Sequence, residues 1–157
     1  LAEGKYIHKG DVQEAWIDYN GHVNISGYIV IFSDSLDRFL TTIGMDETYR
    51  KERQFSIFTL EMHVNYFSEL RLGETFDVFL NILDYDEKRA HLFLDIYKED
   101  GTRSASGELM QTCADLSKRK TAPFPEDVYP KLMTLAEETK VSEWPKEAGS
   151  VIGIRRK

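Results

Sequence analysis

The hydrophobic period of this chain changes once, and that change limits what the chain can fold into. From Ile25 the apolar residues fall at Ile25, Tyr28, Ile29, Phe32, Leu36, Phe39, Leu40 and Ile43. That is the spacing of a helix with one broad apolar face. Asn24 or Ser26 can cap its start and Gly44 sits where it should stop, so the spacing predicts one helix over residues 25–42. Beyond it the period becomes two. In "FSIFTLEMHVNYF", Phe58, Leu60, Met62, Val64 and Tyr66 alternate with Thr59, Glu61, His63 and Asn65. Phe76, Val78, Leu80 and Ile82 share one face of a second segment, and Ala90, Leu92, Leu94 and Ile96 one face of a third. "TRSASGELMQTCADL" reads as a fourth strand, rich in small residues. "EDGT" carries the Asp-Gly hairpin signal, and "SELRLGET" and "DYDEKR" are the other connections. All are short, so the strands are expected to be antiparallel.

A weak strand at Tyr6–Val12 precedes the helix. The Pro-punctuated "APFPEDVYPKLMTLAEET" follows the last long strand, with a short helix expected around 127–138 in a tail of about 126–157. "SVIGIRRK" is expected to add an edge strand or to fray. The order is α+β: one long helix faced by one large antiparallel sheet. At 157 residues the chain fits a single domain, 1–157, with a core of its own. A sheet edge this long needs cover, which points to an oligomer.

Charge and cysteine content narrow the function. A net charge of −7 argues against a general nucleic-acid binder. The single cysteine, Cys113, forbids an intrachain disulfide and gives no sign of an oxidising compartment. The first residues, "LAEGKYIHKG", hold no apolar signal region, and no apolar run approaches membrane-spanning length. The chain begins at Leu1 rather than Met, as a trimmed chain does. A cytoplasmic setting without membrane or nucleic-acid partners is expected.

Just before the helix comes "WIDYNGHVNISGY", which packs Asp18, Gly21, His22 and Asn24 into one short loop. A helix N-terminus presents unpaired amides and a partial positive charge, and suits an oxyanion. A carboxylate beside it can attack a carbonyl polarised by those amides, or activate water against it. Gly21 lets the loop turn tightly. Asp, Asn and Gly ahead of a helix are also ordinary turn and capping residues, so the loop alone leaves both readings open.

"IDYNGHVNISGY" resembles the Asp-x-x-Gly-His-x-Asn signature of hotdog-fold acyl-CoA thioesterases of the 4-hydroxybenzoyl-CoA thioesterase-like family. The likeness runs over about residues 6–125. It takes in the helix after the motif, "VNYFSELRLGETFDV", and the strand ending "CADLSKRKTAPFP". Within the family, "WIDYNGHVN" with "FTLEMHVNY" is most similar to the thioesterases of carnitine breakdown, which act on betainyl-CoA. The resemblance implies a sheet wrapped around one central helix. It implies hydrolysis of an acyl-CoA thioester, with no cofactor beyond the coenzyme A of the substrate. Dimers with sites at the subunit interface, and tetramers built as dimers of dimers, are implied as well. It puts the acidic nucleophile or base on Asp18 and the oxyanion donor on the amide of Ile25, with Asn24 just before it. His22 falls where many members have His. Tyr28 falls on a position that packs at the pocket. Ile25 departs from the frequent second Asn of the motif, and Ser26 and Gly27 make a looser helix start.

Other residues carry two readings. Glu61 is a solvated strand residue or a pocket carboxylate near Asp18, reaching it from a partner subunit. A cationic acyl group would favour aromatic neighbours, for which Trp16, Tyr28, Phe32 and Tyr66 are candidates as well as plain core. "SKRK", Ser117–Lys120, is the strongest basic cluster. Lys118 and Arg119, with Lys88 and Arg89, are candidates for the coenzyme A phosphates or simply line a solvated strand end. His8, His63 and His91 lack metal-ligand spacing, so no metal is expected. Cys113 has no activating base, and no Gly-x-Ser-x-Gly elbow occurs. The rivals to a thioesterase are a hotdog dehydratase acting on a hydroxyacyl thioester and a non-catalytic acyl-CoA sensor.

Overall fold

The structure, a computed structural model, describes residues 3–157. Its long helix, α1, runs Ile25–Thr42, as the periodicity predicts. Tyr28, Ile31, Phe32, Phe39 and Leu40 are its buried face. The strands are β1 (Lys5–Asp11), β2 (Phe55–Tyr66), β3 (Thr75–Tyr85), β4 (Arg89–Lys98), β5 (Arg103–Asp115) and the two-residue β6 (Lys120–Thr121). They form one antiparallel sheet in the order β1-β3-β4-β5-β2, with β6 on β5. The sheet curls around α1, and this is the hotdog fold.

The apolar faces expected of β3 and β4 are the core: Phe76, Val78, Leu80, Ile82, Ala90, Leu92, Leu94 and Ile96 are all buried. The small residues of β5 have a packing reason. A Cβ at Gly107 would stand 2.8 Å from the Phe32 ring, so the helix rests directly on the β5 backbone.

Three features depart from the sequence reading. First, "SELRLGET" is no hairpin, because β2 pairs with β5 and not with β3. The connection crosses the open end of the sheet, with Leu70 fully buried. Second, β2 changes face midway. Thr59 pairs with Gln111 and Glu61 with Met110, so Leu60 is an extra, bulged residue. Phe55 and Ile57 then share the core with Met62 and Val64, while Phe58 and Leu60 stand 38% and 57% exposed. Third, a short helix, α2 (Glu47–Arg53), precedes β2, capped by the Asp46 carboxylate, which accepts from the Tyr49 amide at 2.8 Å.

The C-terminal helix α3 spans Tyr129–Glu138 and buries Leu132, Leu135 and Ala136. Beyond it the chain lies on the outer face of the sheet. The Asn81 amide group donates to the Thr139 carbonyl at 2.7 Å, and Trp144 packs edge-on against His91. Arg103 joins Asp95 and Glu147. Burial raises Asp95; at Glu147 burial is again the largest influence and pushes upward, but the Arg103 bond, a backbone hydrogen bond and the charges of Arg103 and Lys146 together hold that carboxyl below its ordinary value. Residues 150–157 form neither helix nor strand. No helix among the described residues is long and apolar enough to cross a membrane.

Candidate active site

The loop ahead of α1 is built by backbone bonds. Ile17 and Val23 form an isolated antiparallel bridge. Inside it the Asp18 amide donates to the His22 carbonyl at 3.1 Å, and the Gly21 amide to the Asp18 carbonyl at 3.0 Å. Gly21 has φ +82°, which a side chain would strain. Asp18 Oδ1 accepts from the Asn20 amide at 2.8 Å. Its other oxygen has no partner among the described residues. The carboxylate is therefore held by one oxygen and offered by the other.

Asn24 is the N-cap. Its Oδ1 accepts from the Gly27 amide at 2.9 Å and from the Ser26 hydroxyl at 2.6 Å. This leaves the amides of Ile25 and Ser26 with no acceptor among the described residues. Such a pair, at the positive end of an 18-residue helix, is an oxyanion site in waiting. The helix start is not loose. A Cβ on Gly27 would meet Val23 at 2.6 Å and Trp16 at 2.7 Å, so only glycine lets α1 close on the loop.

The crossover after β2 supplies the opposite wall. The Val23 amide donates to the Leu70 carbonyl at 2.8 Å, and the Leu70 amide donates to the Tyr28 hydroxyl oxygen at 3.0 Å. Between the two segments opens a cavity of about 760 Å³. Asp18, His22, Asn24, Ile25 and Tyr28 line one side, and Tyr66, Phe67, Ser68 and Glu69 the other. Tyr66 meets Tyr28 edge-on at 5.0 Å. Burial, and then the Tyr28 neighbour, hold the Tyr66 phenol above its ordinary value, so it stays neutral. Glu69 Oε2 lies 3.3 Å from His22 Nε2, and its other oxygen takes the Arg71 guanidinium. That Arg71 bond keeps Glu69 below the usual carboxylate range.

Sequence reasoning thus assembles Asp18, His22, Asn24, Ile25 and Tyr28 at one cavity and misses Phe67, Ser68 and Glu69. The missed signal was in "YFSELR": a short connection that joins strands on opposite sides of a sheet must pass over its end, where the helix begins.

Other candidates lie elsewhere in the protomer. Trp16 packs beneath the helix start and against Phe76 (6.2 Å) rather than into the cavity. Phe32 is core. Glu61 follows the β2 bulge onto the outer face, beside a separate cavity of about 330 Å³ with His63, His91 and Glu108. Within one chain it does not meet Asp18. Lys118, Arg119 and Arg89 all lie toward the far end of the sheet. Tyr66 pairs with Ala105 at the cavity end and Phe55 with Asp115 at the basic end, a run of roughly 33 Å along β5. Arg89 is bound there to Asp86, and Lys118 lies 3.9 Å from Asp115. Among the described residues no group of three His, Cys, Asp or Glu could hold a metal ion. Cys113 is buried and its thiol is pushed up to about 11, chiefly by that burial, so it is no nucleophile at neutral pH.

A helix start, an acid and a wrapped sheet define a class, and comparison with known proteins agrees. The sequence profile of the thioesterase-like superfamily matches residues 12–132. The chain belongs to this superfamily of hotdog-fold enzymes. The betainyl-CoA thioesterase of Pseudomonas aeruginosa is 34% identical over 140 residues, covering 88% of each chain. The L-carnitine dehydrogenase/betainyl-CoA thioesterase of Rhizobium meliloti is 36% identical over 146 residues, and the chain spans only 29% of its length. A Staphylococcus aureus protein solved in complex with CoA is 35% identical, with a TM-score of 0.90 over 99% of both chains.

Proposed function

We propose that this protein hydrolyses an acyl-CoA thioester to the free acid and coenzyme A, and that its acyl group is betainyl. One observation carries the reading: an Asp18 oxygen and the two amides of Ile25 and Ser26, all without a partner among the described residues, open on the same cavity. The thioester oxygen sits on the amides, where the charge of the tetrahedral intermediate develops. Asp18 adds to the carbonyl carbon or takes a proton from the water that does. Each such amide contributes about 3–4 kcal/mol to lowering the barrier. The reaction needs water and no metal or redox cofactor.

Betainyl is supported by the names of the two relatives and by the aromatic wall of Tyr28, Tyr66 and Phe67. Aromatic faces attract a quaternary ammonium. The test compares thiol release from betainyl-CoA and from 3,3-dimethylbutanoyl-CoA, its neutral isostere. The expected preference for betainyl is about 30-fold in kcat/KM, equivalent to ~2 kcal/mol for a desolvated cation against aromatic rings. Equal or reversed rates sink the betainyl assignment. Product with an intact coenzyme A thioester would indicate the dehydratase, and tight binding with no turnover the sensor.

The functional unit in this proposal is a homodimer paired along β2, a 12-residue edge strand with Leu60 exposed. A two-fold axis through that edge makes the two β2 strands antiparallel. The Tyr66 end of one then meets the Phe55 end of the other. Lys118, Arg119 and Arg89 of one protomer thereby face the cavity of its partner, within reach of coenzyme A phosphates. A dimer of dimers is compatible with this pairing. A free, buried Cys113 suits a cytoplasmic setting.

A further inference from the structure

We infer that His22 is a catalytic proton donor to the departing coenzyme A sulfur, with Glu69 as its positioning residue; the inference rests on the thioesterase reading above. Two segments far apart in sequence are joined to build this pair. His22 and Arg71 form an isolated antiparallel bridge, which sets the pre-helix loop against the crossover. Glu69 Oε2 is then 3.3 Å from His22 Nε2. Arg71 grips Glu69 through Nε at 2.8 Å and also through Nη2, fixing the carboxylate that faces the imidazole. With Nε2 turned to Glu69, Nδ1 has no partner among the described residues. The ring lines the same cavity as Asp18 and the free amides, and among the described residues it is the one imidazole there.

The chemistry leaves a task for such a group. Asp18 and the amides look after the attack and the oxyanion, but neither protonates the sulfur. An alkyl thiol has a pKa near 8.5, so its thiolate can depart unaided but is basic enough that a proton delivered to the sulfur speeds the departure, which an aryl thiolate of much lower basicity would not need. Water adds to the carbonyl carbon as Asp18 accepts one of its protons. The tetrahedral intermediate then expels sulfur with both electrons of the C–S bond. The sulfur takes the proton from Nδ1 of the His22 imidazolium, and the proton held by Asp18 recharges the imidazole through solvent. One water is consumed, and one acid and one thiol leave.

Leaving-group dependence tests this. The betainyl group is offered as its coenzyme A ester and as its 4-nitrothiophenyl ester, whose thiolate departs without a proton. His22→Ala is expected to lower kcat/KM for the coenzyme A ester by about 100-fold or more, the usual range for a general acid. The loss on the aryl ester is expected to be at least tenfold smaller. Glu69→Gln should reproduce the same asymmetry at about a tenth of the size, and added imidazole should rescue His22→Ala on the coenzyme A ester alone. Equal losses on both esters would make His22 structural and overturn the assignment while leaving the hydrolase intact. A wild-type protein that releases thiol from neither ester overturns both.

Discussion

Gly27 and Asn24 decide the geometry of the site one atom at a time. The sequence reads "ISGY" as a slack helix start, because glycine has poor helix propensity and no side chain to pack. The structure reverses that reading: Trp16 and Val23 occupy the volume where a Gly27 methyl would stand. Gly27→Ala is therefore expected to destabilise the fold by about 1–3 kcal/mol, as overpacking does, visible as a lower melting temperature. It should also slow thiol release, since the displaced loop carries Asp18. Asn24→Ala removes the cap on the Gly27 amide and is expected to cost about 1 kcal/mol in denaturant unfolding. The motif made Asp18, His22 and Asn24 legible because they are contiguous. Glu69 was not, because its relation to His22 exists only once the crossover has folded over the helix.

At the level of elements, periodicity works where a segment has one partner face and fails where it changes faces. The α1 bounds and the cores of β3 and β4 follow from spacing alone. In β2 the bulge at Leu60 breaks the alternation, and nothing in "FTLEM" announces it, since apolar residues stand on both faces of this edge strand. The helix α2 escaped for the opposite reason. It is nearly all polar and is held by an Asp46 cap, a Glu47–Lys51 pair and the Tyr49 hydroxyl, which donates to Asp127 at 2.8 Å. Burial first, and then that bond, push Tyr49 up to about 12. Its folded pKa lies above the ordinary value of 10.0, so the stability it lends is complete below pH 10.0 and is lost as pH climbs toward 12. Tyr49→Phe should flatten that alkaline loss in urea midpoints taken on either side of the window. A wild-type midpoint that stays constant there would contradict the Tyr49 assignment. Gly107→Ala belongs to the same scale: the methyl would collide with Phe32, and a loss of about 1–3 kcal/mol is expected.

For the whole molecule, the proposed pairing along β2 is what would bring cations from one end of the sheet to the cavity at the other, and this exchange of ends is tested by complementation. An Asp18→Ala chain keeps the basic cluster, and a Lys118→Glu, Arg119→Glu chain keeps the acid. Co-produced in equal amounts, half the dimers are mixed and each holds one intact site, so about a quarter of wild-type activity is expected from two inactive parents. If each site is made within one chain, the mixture stays inactive. Leu60→Asp puts a charge on the shared edge and should yield monomers by sedimentation, with activity lost in parallel. The sequence announces the unprotected edge but not its order, because β2 pairs with a strand some fifty residues away.

All three scales meet in the Asp18 carboxylate beside the free amides of Ile25 and Ser26. The direct measurement is single-turnover thiol release from betainyl-CoA by the wild-type protein and by Asp18→Asn, which preserves the Asn20 contact and removes the base. The expected result is a fall of at least about 100-fold in the variant, with the fold intact by circular dichroism. Release within about threefold of wild type, far short of what a general base contributes, would place the chemistry elsewhere in the molecule.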